Sequence, residues 1–150
     1  MKNDKTDNHE QLFWEEIDRL FPDMIKAIAS LSKKSYLSIT NLRTGITWWS
    51  ERAMDYFGMK ENYTIRSMEK ANRKIHPDDV ATFKRGFKER VDGKNLDTAW
   101  EYRIQDGDSY NRFNAMARVL YDEQKQPFII IIRYDNYGIS DEVDSVTGLY

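Results

Sequence analysis

A chain of 150 residues fits one domain of the usual roughly 100–200 residues, and its 40% hydrophobic and 13% aromatic content excludes a wholly disordered chain. The 23 basic and 25 acidic side chains leave a net charge of -2, which excludes nucleic-acid binding by bulk electrostatics; the absence of cysteine excludes disulfides, thiolate zinc sites, cysteine nucleophiles and flavin–cysteine photochemistry. No apolar run approaches the roughly 20 residues of a membrane span, and the start, MKND, lacks the apolar core of a signal peptide, so a soluble, cytoplasmic setting is expected.

Residues 1–8, MKNDKTDN, are polar throughout and read as a disordered tail. An N-terminal helical cap is expected over 9–34. There Phe13, Ile17, Leu20, Phe21, Met24, Ile28 and Leu31 recur at offsets of three and four, opposite Glu15, Glu16, Asp18, Arg19 and Lys26. Pro22 lacks an N–H and clashes with the preceding turn, so the pattern predicts a kink, or two short helices of about 10–20 and 22–31, rather than one straight rod. Residues 35–42 alternate as a strand, Arg43-Thr44-Gly45 supplies a turn, and 46–49 return as a second strand. Ser50 suits the N-cap of a helix over 51–57, with Gly58 as its stop. Only a weak helical pattern runs through 59–74.

Pro77 suits a first helical position, and Asp78 and Asp79 place carboxylates at the positive end of the macrodipole. Val80, Phe83, Phe87 and Val91 form one face of that helix. Lys84, Arg85, Lys88 and Arg90 read as its solvated face, of the sign that its C-terminal half prefers. Three strands follow. Trp100, Tyr102 and Ile104 alternate with Glu101 and Arg103; Phe113, Ala115, Ala117, Val119 and Tyr121 alternate with Arg112, Asn114, Met116 and Arg118. The final strand, 127–134, carries four consecutive isoleucines from Ile129 to Ile132 and is apolar on both faces, so a second layer is required over its outer side. The cap is the unassigned apolar surface large enough, whether from this chain or from a partner. The order predicts an α+β fold: a five-stranded antiparallel sheet with helices on one face and the N-terminal amphipathic helix over the other.

Several pieces together resemble a bacterial PAS sensor domain over 35–135. They are Ile75-His76-Pro77-Asp78-Asp79, Glu101-Tyr102-Arg103-Ile104, the Asp106-Gly107 turn, Tyr110 to Phe113, and Asp122-Glu123 followed by Pro127. The closing Asp144-Ser145-Val146-Thr147-Gly148-Leu149-Tyr150 resembles the opening of a GGDEF domain, with Val146 a conservative departure. The resemblance implies a PAS domain over 35–136, then a linker and the first residues of a GGDEF domain over 137–150. It implies a sensor governing a covalently linked output that makes cyclic di-GMP from GTP, with no catalysis in this fragment. In the family an Asp-Ile-Thr segment relays the signal. Here the corresponding run is Asp135-Asn136-Tyr137-Gly138-Ile139, so Asp135 alone carries over, with Tyr137 and Gly138 standing in the relay segment. Arg112 stands where many relatives have Trp. A product that needs two catalytic domains to meet implies a homodimer, for which Phe13, Ile17, Leu20, Phe21 and Met24 are the candidate contacts; the alternative is a monomer whose helix caps its own sheet.

His9 and His76 are the only histidines, too few with no cysteine for a three-ligand metal site or a catalytic triad. No catalytic residue or metal site is expected. His76 reads either as an axial haem ligand, as the resemblance allows, or as a helix-start cap ahead of Pro77. Trp48, Phe57, Phe83, Trp100, Tyr102 and Phe113, with Trp49, either fill the core or line a cavity for an unidentified small molecule; Trp100 and Tyr102 bring the polar handle that recognition needs. No cofactor is expected. Two rivals are a structural dimerisation module with a filled core and no ligand, and a small cone-shaped α+β enzyme. The latter needs an inward acid–base pair, whereas Glu101 alternates away from the aromatic face.

Overall fold

The computed structural model describes residues 4–65 and 73–140. Helix α1 runs Asp4–Leu20 and α2 runs Met24–Leu31, broken at Pro22 with Asp23 in the left-handed region at φ 64. Helix α1 therefore starts well inside the stretch that reads as a disordered tail. Once the stripe from His9 onward is docked, each upstream residue adds a hydrogen bond to an existing nucleus.

Strand β1 (Tyr36–Asn41) and β2 (Ile46–Trp49) form a hairpin, followed by α3 (Glu51–Phe57). Ser50 caps α3 as expected: its hydroxyl accepts from the Ala53 N–H at 3.3 Å and from the Leu37 N–H at 3.1 Å, tying the helix start to β1. Gly58, at φ 67, ends it. Strand β3 (Tyr63–Ile65), a short 3₁₀ turn (Pro77–Asp79) and α4 (Val80–Val91) lead into β4 (Trp100–Asp106), β5 (Ser109–Tyr121) and β6 (Pro127–Ser140).

The sheet is antiparallel in the order β3-β2-β1-β6-β5-β4. It has six strands rather than the expected five. The addition, β3, is a three-residue edge too short for alternation to announce it, and it forms because Tyr63 and Ile65 find backbone partners opposite Trp48 and Ile46. Strand β6 lies in the middle, between β1 and β5. Both of its faces are covered. Ile130 and Ile132 join the core beneath α3 and α4, while Phe128 and Ile129 join a second core beneath α1 and α2. That double burial is why four consecutive isoleucines are tolerated in one strand.

Strand β6 also runs further than expected, through Asp135, Tyr137 and Gly138, so the segment that reads as linker begins inside the sheet. Phe113 pairs with Asn136 but Asn111 with Ile139, so Arg112 alone faces both Tyr137 and Gly138 in a bulge. Gly138, at φ 91, adopts the left-handed backbone the bulge needs, and its N–H donates to Asn136 Oδ1 at 2.8 Å. Pairing with β5 continues beyond it, leaving Tyr137 and Ile139 exposed.

The cap is held by more than apolar burial. Phe13, Ile17 and Ile25 are completely buried against Leu37, Ile39, Trp48 and Ile129. Asn41 Nδ2 donates to the Phe13 carbonyl at 3.0 Å and Trp14 Nε1 donates to the Tyr63 hydroxyl at 2.8 Å. Arg43, in the β1–β2 turn, donates to Glu16 of α1 and to Asp122 of the β5–β6 turn while lying over the Phe128 ring.

Candidate functional site

Period-two alternation decides which side chains of the hairpin face α3 and α4. Leu37 and Ile39 go to the cap side, and Ser38 and Thr40 to the other, where they meet Thr47 and Trp49 of β2 and Ile132 and Tyr134 of β6. Phe57 closes one end from α3; Phe83 and Phe87 descend from α4; Ile75, Tyr102 and Ile104 complete the wall. Together they line a half-open cavity of about 530 Å³, within the size that holds drug-sized ligands. Thr44, Gly45 and Ile65 are the exposed residues at its rim.

The wall is apolar apart from hydroxyls. Ser38 Oγ and the Tyr134 hydroxyl are 3.1 Å apart, and Thr40 Oγ1 and Thr47 Oγ1 are 2.8 Å apart, so these groups satisfy each other in pairs. The Tyr102 hydroxyl, on a residue 1% exposed, lies beside the Tyr134 hydroxyl and donates to it. Burial pushes the Tyr134 phenol up to about 12. Burial, with Tyr134 beside it, holds the Tyr102 phenol well above its ordinary range, so both are neutral at physiological pH. No Asp, Glu, Lys, Arg or His stands among the described lining residues. Nor do the described residues hold a cluster of three acids or histidines fit for a metal ion.

Of the expected pocket residues, the structure brings Phe57, Phe83 and Tyr102 to the cavity. Phe113 is buried beside it, edge-on to Tyr36 and Tyr56. Trp100 turns against α4, under the Arg90 guanidinium and in the notch at Gly86. Trp48 is a correction: it belongs to the core under the cap, and Trp49, the next residue, takes the cavity position. Alternation separates the two tryptophans, but pairing with β1 decides which goes where. Arg90 is a second correction, since it is 3% exposed instead of solvated, donating to the Gly86 and Thr98 carbonyls. In the relay segment Asp135 is half-buried beside Arg133, Tyr137 is exposed, and Gly138 sits in the bulge. Phe13 and Ile17 are wholly occupied by the chain's own sheet, Leu20 and Phe21 are half-buried, and Met24 is exposed. His76 caps the 3₁₀ turn, its Nδ1 accepting from the Asp78 N–H at 3.1 Å, and is not among the cavity residues.

The hydroxyl set of Ser38, Thr40, Thr47 and Tyr134 is the part of the site that sequence reasoning missed. The available signal was small polar residues alternating with Leu37 and Ile39 in a strand whose neighbours are buried on both faces.

Just outside the cavity wall, Asp79 grips Arg103 of β4 at two points, 2.8 and 3.0 Å, and also accepts from its backbone N–H at 2.9 Å. Burial alone would raise the Asp79 carboxyl, but these contacts outweigh it and hold the group below 3.8. A carboxyl depressed in the folded state contributes stability above its unfolded value and loses it as pH falls through the folded one. Asp79→Asn is therefore expected to cost about 1 kcal/mol at neutral pH, a figure discounted for partial exposure. The difference from the parent should shrink as pH drops below 3.8. Urea unfolding of both proteins across that range checks it, and a gap that stays constant into acid contradicts it.

The family model described as the PAS fold matches residues 46–132. Among solved structures, the chain is similar to a sensory box histidine kinase/response regulator from Burkholderia thailandensis, with TM-score 0.60 and 16% identity, covering 82% of this chain and 90% of that one. It is also similar to the N-terminal domain of a diguanylate cyclase with a PAS/PAC sensor from Marinobacter aquaeolei, with TM-score 0.57 and 15% identity, covering 70% and 96%. A PAS domain from Colwellia psychrerythraea gives TM-score 0.56 and 18% identity, covering 77% and 98%. Identities this low speak for the fold alone. No curated protein sequence matches.

Proposed function

The chain belongs to the PAS family, and from that premise we propose that this sensory domain binds a small molecule between its sheet and α3–α4 and controls a covalently linked GGDEF output that makes cyclic di-GMP. The observation that carries the reading is the continuity of β6. Ile132 and Tyr134 form part of the cavity wall, and the same strand continues through the Gly138 bulge to Ser140. A ligand that moves Tyr134 therefore pushes on the strand from which the next segment departs. The closing run from Asp144 to Tyr150, which resembles a GGDEF opening, lies outside the described residues, as does most of the 137–150 linker. The neighbour from a diguanylate cyclase supports that output, and the reading places the protein in the cytoplasm, where GTP is available.

A filled structural module is the weaker reading, because a filled core leaves no room for a cavity of this size. No helix among the described residues is long and apolar enough to cross a membrane. Dimerisation fits an output needing two catalytic domains. With Phe13 and Ile17 buried at home, a second copy would meet Met24 and Leu31, which are exposed on α2.

Coupling requires that a ligand bind two states unequally. In the full-length protein, a small-molecule extract of the host is expected to change the rate of cyclic di-GMP synthesis at least about threefold, on the scale of typical site-to-site coupling. Thr40→Phe, which places a ring in the cavity, is expected to fix the rate at one value. A continuation beyond Tyr150 without the GGDEF signature, or equal responses from parent and variant, overturns the proposal.

A further inference from the structure

We propose that the cavity takes a ligand whose inner end is a hydrogen-bond acceptor with no hydrogen of its own, such as a ring nitrogen or a carbonyl oxygen, seated against Ser38 and Tyr134; this rests on the sensory reading above. The inference comes from counting hydroxyl hydrogens. Each hydroxyl brings one hydrogen to donate and can accept at its lone pairs. A link between two hydroxyls therefore engages both oxygens but only one of their two hydrogens.

Tyr102, Tyr134 and Ser38 form a row of three. The Tyr102 hydroxyl donates to Tyr134, and Ser38 Oγ stands 3.1 Å from that same Tyr134 oxygen. Three hydrogens share two links, so one is left over. If Tyr134 donates to Ser38, the spare hydrogen is on Ser38 Oγ; if Ser38 donates to Tyr134, it is on the Tyr134 hydroxyl. Either way it belongs to a residue of the cavity wall, and neither side chain has a further acceptor among the described residues. Ser38 is 2% exposed and Tyr134 8%, away from the exposed rim, so the acceptor has to come from whatever occupies the cavity. An occupant that brought only an N–H to this end would leave a donor orphaned, and a buried donor without an acceptor is costly. The wall's other hydrogens make weaker claims. Trp49 Nε1 already donates to Thr64 Oγ1 at 2.7 Å. Thr40 and Thr47 also share one link, but Thr40 is only half-buried, beside the Thr44–Gly45 rim, where water serves as acceptor. The remainder of the ligand meets Trp49, Phe57, Phe83, Phe87 and Ile132, surfaces that favour a flat apolar body.

Quinoline and indole test this in ligand-observed NMR titrations of the intact chain near neutral pH. Both are flat, neutral two-ring bodies; quinoline has an acceptor nitrogen and no N–H, whereas indole has an N–H and no acceptor nitrogen. Quinoline is expected to bind at least about fivefold more tightly. Tyr102→Phe leaves two hydroxyls with one link, so the spare hydrogen stays and the preference for quinoline should remain within about twofold of the parent's. The triple variant Ser38→Ala/Tyr102→Phe/Tyr134→Phe removes the whole row together, exchanging hydroxyls for apolar groups of similar shape. It is expected to bring quinoline down to about the affinity of indole while indole changes by less than about twofold. Thermal unfolding shows whether the triple variant is folded; if it is not, the parent's preference and Tyr102→Phe decide alone. Equal affinity of the parent for the two probes, a preference kept by the folded triple variant, or one lost in Tyr102→Phe overturns the acceptor assignment and leaves the pocket standing. Binding of neither probe by the parent overturns the ligand-binding reading itself.

Discussion

Phe13→Glu is expected to release helices α1 and α2 from the sheet. Phe13 is completely buried, edge-on to Trp14 at 5.0 Å and to Tyr63 at 5.5 Å, and its carbonyl is the acceptor for Asn41. Truncating a buried Phe costs about 3–5 kcal/mol, and a carboxylate at the same place must in addition either stay protonated or leave. What would oppose release is modest. Ile17 and Ile25 contribute about 1.5–3 kcal/mol each by burial, and the Arg43–Glu16 pair to α1 is largely exposed, where ion pairs contribute little. The cap should therefore open while β4, β5 and the α4 side remain folded.

Amide hydrogen exchange would show this as lost protection in α1 and α2, with exchange in β4 unchanged. Trypsin would gain access to Lys33 and Lys34. Phe13→Leu, which keeps an apolar group in place, should lose only about 1–1.5 kcal/mol. A Phe13→Glu protein that keeps the parent's protection in α1 would show that the cap does not depend on this ring.

The second large effect reverses a common rule. In an exposed helix interior, Gly→Ala stabilises by about 1 kcal/mol. At Gly86, in the middle of α4, it is expected to destabilise by about 1–3 kcal/mol, because a Cβ there would fall 2.8 Å from both Cδ1 and Nε1 of Trp100. The indole has nowhere to retreat. It is 7% exposed, and the Arg90 guanidinium lies 4.1 Å from its ring centroid while itself bonded to the Gly86 and Thr98 carbonyls. Gly86→Leu should be worse still and move α4 off β4. Urea unfolding with Trp fluorescence gives the sign directly. A Gly86→Ala protein more stable than the parent would mean that the α4–Trp100 contact is loose.

These two cases divide along a physical line. The Phe13 stripe was readable in advance because helix periodicity is a local property: offsets of three and four put those side chains on one face whatever lies opposite. The Gly86 notch was not. A single helical glycine carries no local signal, and its meaning depends on Trp100, on another element.

The same contrast holds at the candidate site. Alternation separated Trp48 from Trp49 and Ser38 from Leu37, but a period of two cannot say which set faces the cavity until β1 is paired with β2 and β6. Ser50 as a cap and the break at Pro22 are also local, and the structure has both. Strand β3 and the far end of β6 are not, because three residues are too few for a pattern and the bulge at Gly138 conceals continued pairing with β5.

From order and periodicity alone, then, come the α+β class, the antiparallel sheet and the need for cover on both sides of the isoleucine strand. Those follow from backbone geometry and the removal of apolar surface from water. Packing settled the rest: the choice of Trp49 over Trp48, the burial of Arg90, and the cavity with its paired hydroxyls. Each of these depends on distances between residues far apart in the chain, and such distances exist only once the elements have docked.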